Sequence, residues 1–225
     1  MAGSTAGRSR FEHLTADRYS LSSARSGIGE SDLLSPAGAG SARRVERCRN
    51  RSRAVVVHIE GPLHSVDELA AIEPLWTSLH AHHLAVASYP WLVGDTAASW
   101  ERRRTWYTRL LGDGGALFIA RDDNGTAVGY AVTETVRGTD DTFDVVGGIV
   151  ELVSLAVAEN ARQQGVGARL MEAVEGHADD QGVDTLKVAV MAGNERARHF
   201  YEMLGFEAGE EVLYRNLGAT VHRAP

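Results

Sequence analysis

NARQQGVGARLM, residues 160–171, is a polar run with one arginine, then Gly165 and Gly167, then the start of a helical pattern. Glycine inside a helix costs about 1 kcal/mol relative to alanine, so two of them at a helix entrance signal a need for bare backbone. A helix N-terminus carries unpaired N–H groups and a partial positive charge. Glycine lets a ligand approach that backbone closely, and Arg162 adds a full charge to the same loop. Together these features describe an anion site, most naturally for phosphate. The run is not GxxxxGK[ST], and it lacks GxGxxG with an acidic residue after a second strand. A Walker loop and a dinucleotide-binding fold are therefore set aside.

Working outward, AVVVHIE (54–60) reads as a strand that Gly61-Pro62 ends. SVDELAAIEPLWTSLHAHHLAV (65–86) is helical, with Leu69, Ile72, Trp76, Leu79 and His83 recurring at spacings of three or four. Ser65 and Glu68 have capping-box spacing, and Pro74 is expected to kink or divide this helix. A second helix spans about Thr96 to Leu111, closed by Gly112, Gly114 and Gly115. The period then changes to strands at ALFIAR (116–121) and AVGYAVTETV (127–136), joined by the hairpin signal Asp123-Asn124-Gly125. GGIVELVSLAVAE (147–159) is a longer strand whose unbroken apolar character suggests burial on both faces. A helix (165–181), a strand (184–190), a short helix (194–204) and a last strand pair complete the order β α α β β β α β α β.

The chain has 225 residues, 44% of them apolar, enough for a sizeable core. Its net charge of −7 divides unevenly: residues 1–53 carry +5 and the remainder −12. Residues 1–53 are rich in Ser, Gly, Ala and Arg and are expected to form a disordered extension, because they bury too little to offset ordering entropy. The cluster Arg43, Arg44, Arg47, Arg49, Arg51 and Arg53 reads as a solvated tail or as an arm for an acidic partner. No aromatic residue is interleaved with it to stack on bases, so nucleic acid is not an expected partner. No run of ~18 apolar residues exists, so no membrane span is expected. No apolar segment follows the first basic residues, so no secretory signal is expected. Cys48 is the only cysteine, which fits a reducing, cytoplasmic setting.

ELVSLAVAENARQQGVGARLMEAVE (151–175) contains R/Q-x-x-G-x-G/A and resembles the acetyl-CoA-binding core of the GCN5-related N-acetyltransferases (GNAT superfamily). NERARHFYEMLGFEAGE (194–210) resembles that superfamily's next segment, Asn…Ala…Phe-Tyr-Glu…Leu-Gly-Phe. The two occur in the family's order, one strand apart. The resemblance implies an α/β (α+β) GNAT fold over residues 54–220, a mixed central sheet of six to seven strands flanked by about four helices. It implies that the fourth and fifth strands part to admit the pantetheine arm of acetyl-CoA, which pairs with main chain at Leu155, Ala156 and Val157, a form of strand addition. The pyrophosphate would sit on the amides of Gln163, Gln164, Gly165, Val166, Gly167 and Ala168, beside Arg162. Asn194 matches the family's polar residue near the cofactor arm and also suits an N-cap.

The implied reaction is acetyl transfer to a primary amine by direct attack in a ternary complex. Tyr201 matches the tyrosine placed to protonate the leaving sulfur. Glu151 matches the strand glutamate that other members use as general base through water. It lies within the apolar run IVELVSLAV, where burial tunes a carboxylate toward such work. Ser154 is a water relay or a core residue, and the oxyanion donor would be main-chain N–H near Val157. His80, His82 and His83 read as surface or cleft residues rather than metal ligands, since no third ligand is evident. His83, Tyr89, Trp91 and Trp106 are candidates for acceptor contact. The alternative reading is a catalytically weak acyl-CoA sensor of the same fold. An acidic domain suits a cationic acceptor, yet polyamines, aminoglycosides, amino-acid amines and peptide N-termini all fit that description. The family is often dimeric, so a homodimer is a further expectation.

Overall fold

A computed structural model describes residues 56–89, 93–137, 145 and 147–216. Along the chain run β1 (Val57–Leu63), α1 (Leu69–Val86), α2 (Thr96–Gly112), β2 (Ala116–Asp122), β3 (Ala127–Val136), β4 (Ile149–Val157), α3 (Val166–Asp180), β5 (Leu186–Val188) and α4 (Glu195–Met203). The strands form one mixed sheet in sequence order. Neighbours from β1 to β4 are antiparallel and β5 is parallel to β4. The expected extension 1–53 lies outside the described residues, as does Trp91.

Both faces of the sheet are covered, which explains the continuous apolar run in β2. Successive side chains of a strand alternate faces. Phe118 and Ala120 therefore pack with Leu170, Met171 and Val174 of α3, while Leu117 and Ile119 pack with Ile72 and Trp76 of α1 and Tyr107 and Leu110 of α2. The hairpin between β2 and β3 forms as expected, with Asp122 Oδ1 accepting from the amides of Asn124 and Thr126 at 2.9 Å each.

Three expectations are corrected. The sheet has five strands among the described residues, not six or seven. Residues 207–216 form no strand there. Glu207, Glu210 and Glu211 crowd that segment, and Leu213 is 84% exposed, so it presents no buried face to hold a ladder. The capping box does not form. Ser65 Oγ donates to Asp67 at 2.8 Å, and Glu68 instead pairs with Arg121 and makes no side-chain cap. Pro74 does not divide α1, which is continuous from Leu69 to Val86. A real cap appears on α2, where Asp95 Oδ1 accepts from Ala98 N at 2.9 Å.

Candidate functional site

The site begins where β4 and β5 separate. Parallel pairing joins Val150 to Leu186, Glu151 to Lys187 and Leu152 to Val188, and stops there. β4 continues to Val157 with its other edge still paired to β3, Leu155 opposite Ala131 and Val157 opposite Gly129. The free edge of β4 opens onto a cavity of about 450 Å³, within the usual range for small-molecule sites. Leu155, Ala156, Val157, Arg162, Gln163, Gly165, Val166, Gly167, Ala168, Asn194 and Tyr201 line it. Gln164 does not line it, and its Nε2 donates to Asn160 O at 2.8 Å.

The loop that closes one end is built from short-range geometry. Residues 159–161 form a single 3₁₀ turn, after which Arg162 Nε donates to Val157 O at 3.1 Å and so ties the loop back to the end of β4. Gln163 and Gly165 have φ of 60° and 81°. Gly165 is the N-cap of α3 in the left-handed conformation, and a Cβ there would meet nothing. Its glycine serves the backbone dihedral. Gly167 is different: a Cβ would lie 3.2 Å from the Phe200 ring, so this glycine admits the close packing of α4 on α3. The helix ladder starts with Arg169 N donating to Gly165 O at 3.1 Å, and the amides of Val166, Gly167 and Ala168 precede it. These are the N–H groups a helix leaves for an anion.

Tyr201 of α4 is 8% exposed and packs edge-on between the Phe200 and Phe206 rings at 5.1 and 5.5 Å. Burial pushes its phenol up to about 12, so it holds its proton at neutral pH. Asn194 caps α4, its Oδ1 accepting from Ala197 N at 3.1 Å, while also lining the cavity. Both readings of Asn194 are thus geometrically compatible.

A second cavity of about 110 Å³ shares Leu79, Leu155, Asn194, Ala197 and Tyr201 with the first. Its other lining includes Trp76, His80, His83, Arg103 and Ser154. His80 stacks on Trp76 at 4.9 Å, and its Nδ1 is 3.1 Å from Thr96 Oγ1. Burial lowers His80, helped by the Arg103 charge. Burial also lowers His83, to about 4, with His82, His80 and Arg103 adding to the effect. Ser154 Oγ and Tyr130 Oη share a hydrogen bond of 2.8 Å. Among the acceptor candidates, His83 lines this cavity, Trp106 lies beneath the Arg103 guanidinium at 4.8 Å, and Tyr89 packs on Tyr214 at 4.9 Å. Sequence reasoning missed Arg103, though the spacing 100, 103, 107, 110 sets it on the buried stripe of Trp100, Tyr107 and Leu110.

Glu151 lines neither cavity. It is not sealed in apolar surroundings as expected: its side chain is 33% exposed and its Oε2 lies 3.7 Å from Lys187 Nζ. An irregularity in the β3–β4 register leaves Val153 without a partner between Leu152 and Ser154. That bulge brings Glu151, opposite Glu134, and Ser154, opposite Val132, to the same face of the sheet. Glu134 is pushed up by burial first and then by the Glu151 and Asp113 charges. Among the described residues no group of three or more His, Cys, Asp or Glu is placed to hold a metal ion, and no helix is long and apolar enough to cross a membrane.

The family described as Acetyltransferase (GNAT) family matches residues 76–206. Two relatives, the L-methionine sulfoximine/L-methionine sulfone acetyltransferases of Pseudomonas aeruginosa and Pseudomonas paraeruginosa, are each 30% identical over 134 residues, covering 56% of this chain and 75% of the relative. Among solved structures, the tetramutant of the BH1408 protein from Bacillus halodurans aligns with a TM-score of 0.60 at 20% identity, covering 72% of this chain and 99% of that one. The aminoglycoside N-acetyltransferase AAC(6')-Iy in complex with CoA aligns with a TM-score of 0.55 at 21% identity, covering 75% and 99%. At those identities the structural likeness speaks for the fold alone. The family match spans more than half the chain, over the fork, the glycine loop and Tyr201, and the chain accordingly belongs to the Acetyltransferase (GNAT) family and is an acetyltransferase.

Proposed function

We propose that residues 54–220 form a domain that transfers the acetyl group of acetyl-CoA to a primary amine by direct attack in a ternary complex. The observation that carries this is the fork: an unpaired β4 edge leading to a helix N-terminus, with a buried phenol that lines both of two cavities. The pantetheine arm would run along Leu155–Val157 and the diphosphate would sit on the amides at the start of α3. The two Pseudomonas relatives are named for amino-acid acceptors, which adds such amines to the acceptors worth testing.

In the reaction the neutral amine nitrogen attacks the thioester carbonyl, the C–N bond forms, and the C–S bond breaks to leave CoA thiolate. The proton the amine gives up passes to water and on to Glu151, which lines neither cavity but shares the β4 face with Ser154, a lining residue of the smaller one. Tyr201 faces the junction of the cavities and serves the departing sulfur. Its role is adjusted by its environment: raised to about 12, it is a weaker acid than a thiol, whose ordinary value is about 8.5. It therefore donates a hydrogen bond to the thiolate rather than surrendering its proton, and solvent protonates the thiolate after release.

Glu151→Gln is expected to lower turnover roughly 100-fold near about pH 6, with the deficit shrinking toward about pH 9. At low pH the acceptor is mostly ammonium, so proton removal limits the rate; at high pH free amine is plentiful. A rate and pH profile matching wild type excludes Glu151 as base. The function itself is tested by calorimetric titration with acetyl-CoA, followed by assay of CoA thiol release. The amine screen covers polyamines, aminoglycosides, the common L-amino acids, L-methionine sulfone and L-methionine sulfoximine. Thiol release above the acceptor-free rate is expected with one of these classes. Tight cofactor binding without transfer to any amine would instead mark an acyl-CoA-binding module.

A further inference from the structure

The smaller cavity carries an unusual charge balance. Among the described residues that line it there is no Asp or Glu. Its titratable side chains are His80, His83, Arg103 and Tyr201. Both histidines are held below their ordinary value and the tyrosine above it. At neutral pH Arg103 is therefore the one formal charge on the described lining. Carboxylates around it have partners of their own: Asp95 caps α2, Glu101 pairs with Arg104 at 2.9 Å and Glu151 Oε2 lies 3.7 Å from Lys187 Nζ. Arg102 donates to Ser99 at 3.2 Å. Arg103, half-buried between these neighbours, makes no ion pair with any described residue. Its guanidinium instead lies over the Trp106 and Tyr107 rings at 4.8 and 5.6 Å, which holds the planar fork in place.

A half-buried cation without a counter-ion is costly unless a ligand supplies one. A fixed guanidinium fork matches a carboxylate bidentately. Tyr201 lines the same cavity, so an amine brought to the thioester lies within one small head group of Arg103. We infer that this cavity reads a carboxylate: Arg103 pairs with the carboxyl group of an α-amino acid whose α-amine is acetylated, and so sets the acceptor class. The inference rests on the acetyl-transfer reading and narrows it. It also runs against the expectation from net charge. The domain is acidic overall, but the charge an acceptor meets on the described cavity lining itself is that of Arg103. Polyamines and aminoglycosides would bring further cations onto a described lining that holds Arg103 and no carboxylate.

The test compares each amino acid of the screen with its primary amide, by kcat/KM and by calorimetric titration of the full chain loaded with CoA. For the preferred amino acid the free acid is expected to exceed its amide by at least about 100-fold, the order set by losing one partner of a desolvated charge pair. Arg103→Met should shrink that ratio to about threefold or less, chiefly through KM, and Arg103→Lys, which keeps charge without the fork, should fall between. Acetyl-CoA titration of each variant shows that it is folded. An amide used as well as its acid, or a preference that survives Arg103→Met, overturns the inference. So does a panel in which no acid binds or reacts better than its amide, even where other amines are acetylated and the transfer reading stands. Arg103-dependent binding of acids without any transfer supports the pocket and removes the enzyme reading instead.

Discussion

Changing both Gly165 and Gly167 to glutamate is expected to weaken acetyl-CoA binding by at least about 100-fold, read by calorimetry against wild type. Three effects add. Gly165 sits at φ 81°, where a non-glycine residue costs on the order of 1–3 kcal/mol. At Gly167 the new Cβ meets the Phe200 ring at 3.2 Å, so α4 must shift or the ring must turn. Two carboxylates would then stand at the helix start, where the diphosphate is proposed to meet unpaired amides and Arg162; like charges oppose there instead of attracting. Gly165→Asn separates charge from geometry, because Asn tolerates the left-handed region: it should retain most of the affinity. Thermal unfolding of each variant identifies any that has lost its fold. If the doubly substituted protein stays folded and binds acetyl-CoA as wild type does, the loop is not the diphosphate site.

The two glycines show how much of this site was legible from residues alone, and where the reading was incomplete. Their spacing before a helix pointed to an anion-binding loop, and the loop does line the large cavity. Beside the reason assigned to both, space for a ligand, each has a reason within the protein itself. Gly165 answers a backbone dihedral and Gly167 answers Phe200, which lies 33 residues downstream. Local pattern finds the loop; only the tertiary partner explains the second glycine. Glu151 illustrates the same limit. Its apolar neighbours in sequence suggested burial, yet β5 brings Lys187 against it across a parallel ladder, and the bulge at Val153 decides which face it shares. Lys187 is far away in sequence, and the bulge is set by the pairing of β4 with β3.

Arg103 is the converse case, a residue whose position was written in the sequence but masked by its company. Among Glu101, Arg102 and Arg104 it looks like one more solvated charge. The stripe of Trp100, Tyr107 and Leu110 passes through it, so helical spacing alone carries it inward. Among the described residues the sheet has fewer strands than expected, for a plainer reason. Alternation in residues 207–216 is too acidic and too exposed to commit that segment to a ladder. The helices and the first four strands, by contrast, are specified by apolar residues that reach the core, those of α1 and α2 in one half and those of α3 and α4 in the other.

Tyr201→Phe is expected to lower kcat by roughly 100-fold while leaving the acetyl-CoA dissociation constant within about twofold. The magnitude follows from losing one donor aimed at charge that develops in the transition state. Affinity is spared because the ring, which packs between Phe200 and Phe206, is unchanged in shape. The wild-type pH profile sharpens the assignment. A phenol raised to about 12 stays protonated through the working range, so the donor is present at every pH below that value and lost only above it. Wild-type kcat should therefore show no alkaline fall from this group below about pH 10, and the Phe variant should run parallel to it at a lower level. A tyrosine that transferred its proton completely would need to be recharged in each cycle. It would also add a solvent isotope effect on kcat that the Phe variant abolishes; for a donor that keeps its proton the isotope effect should be the same in both. Unchanged kcat in the Phe variant removes Tyr201 from the mechanism, and leaves its burial between two phenylalanines as its whole role.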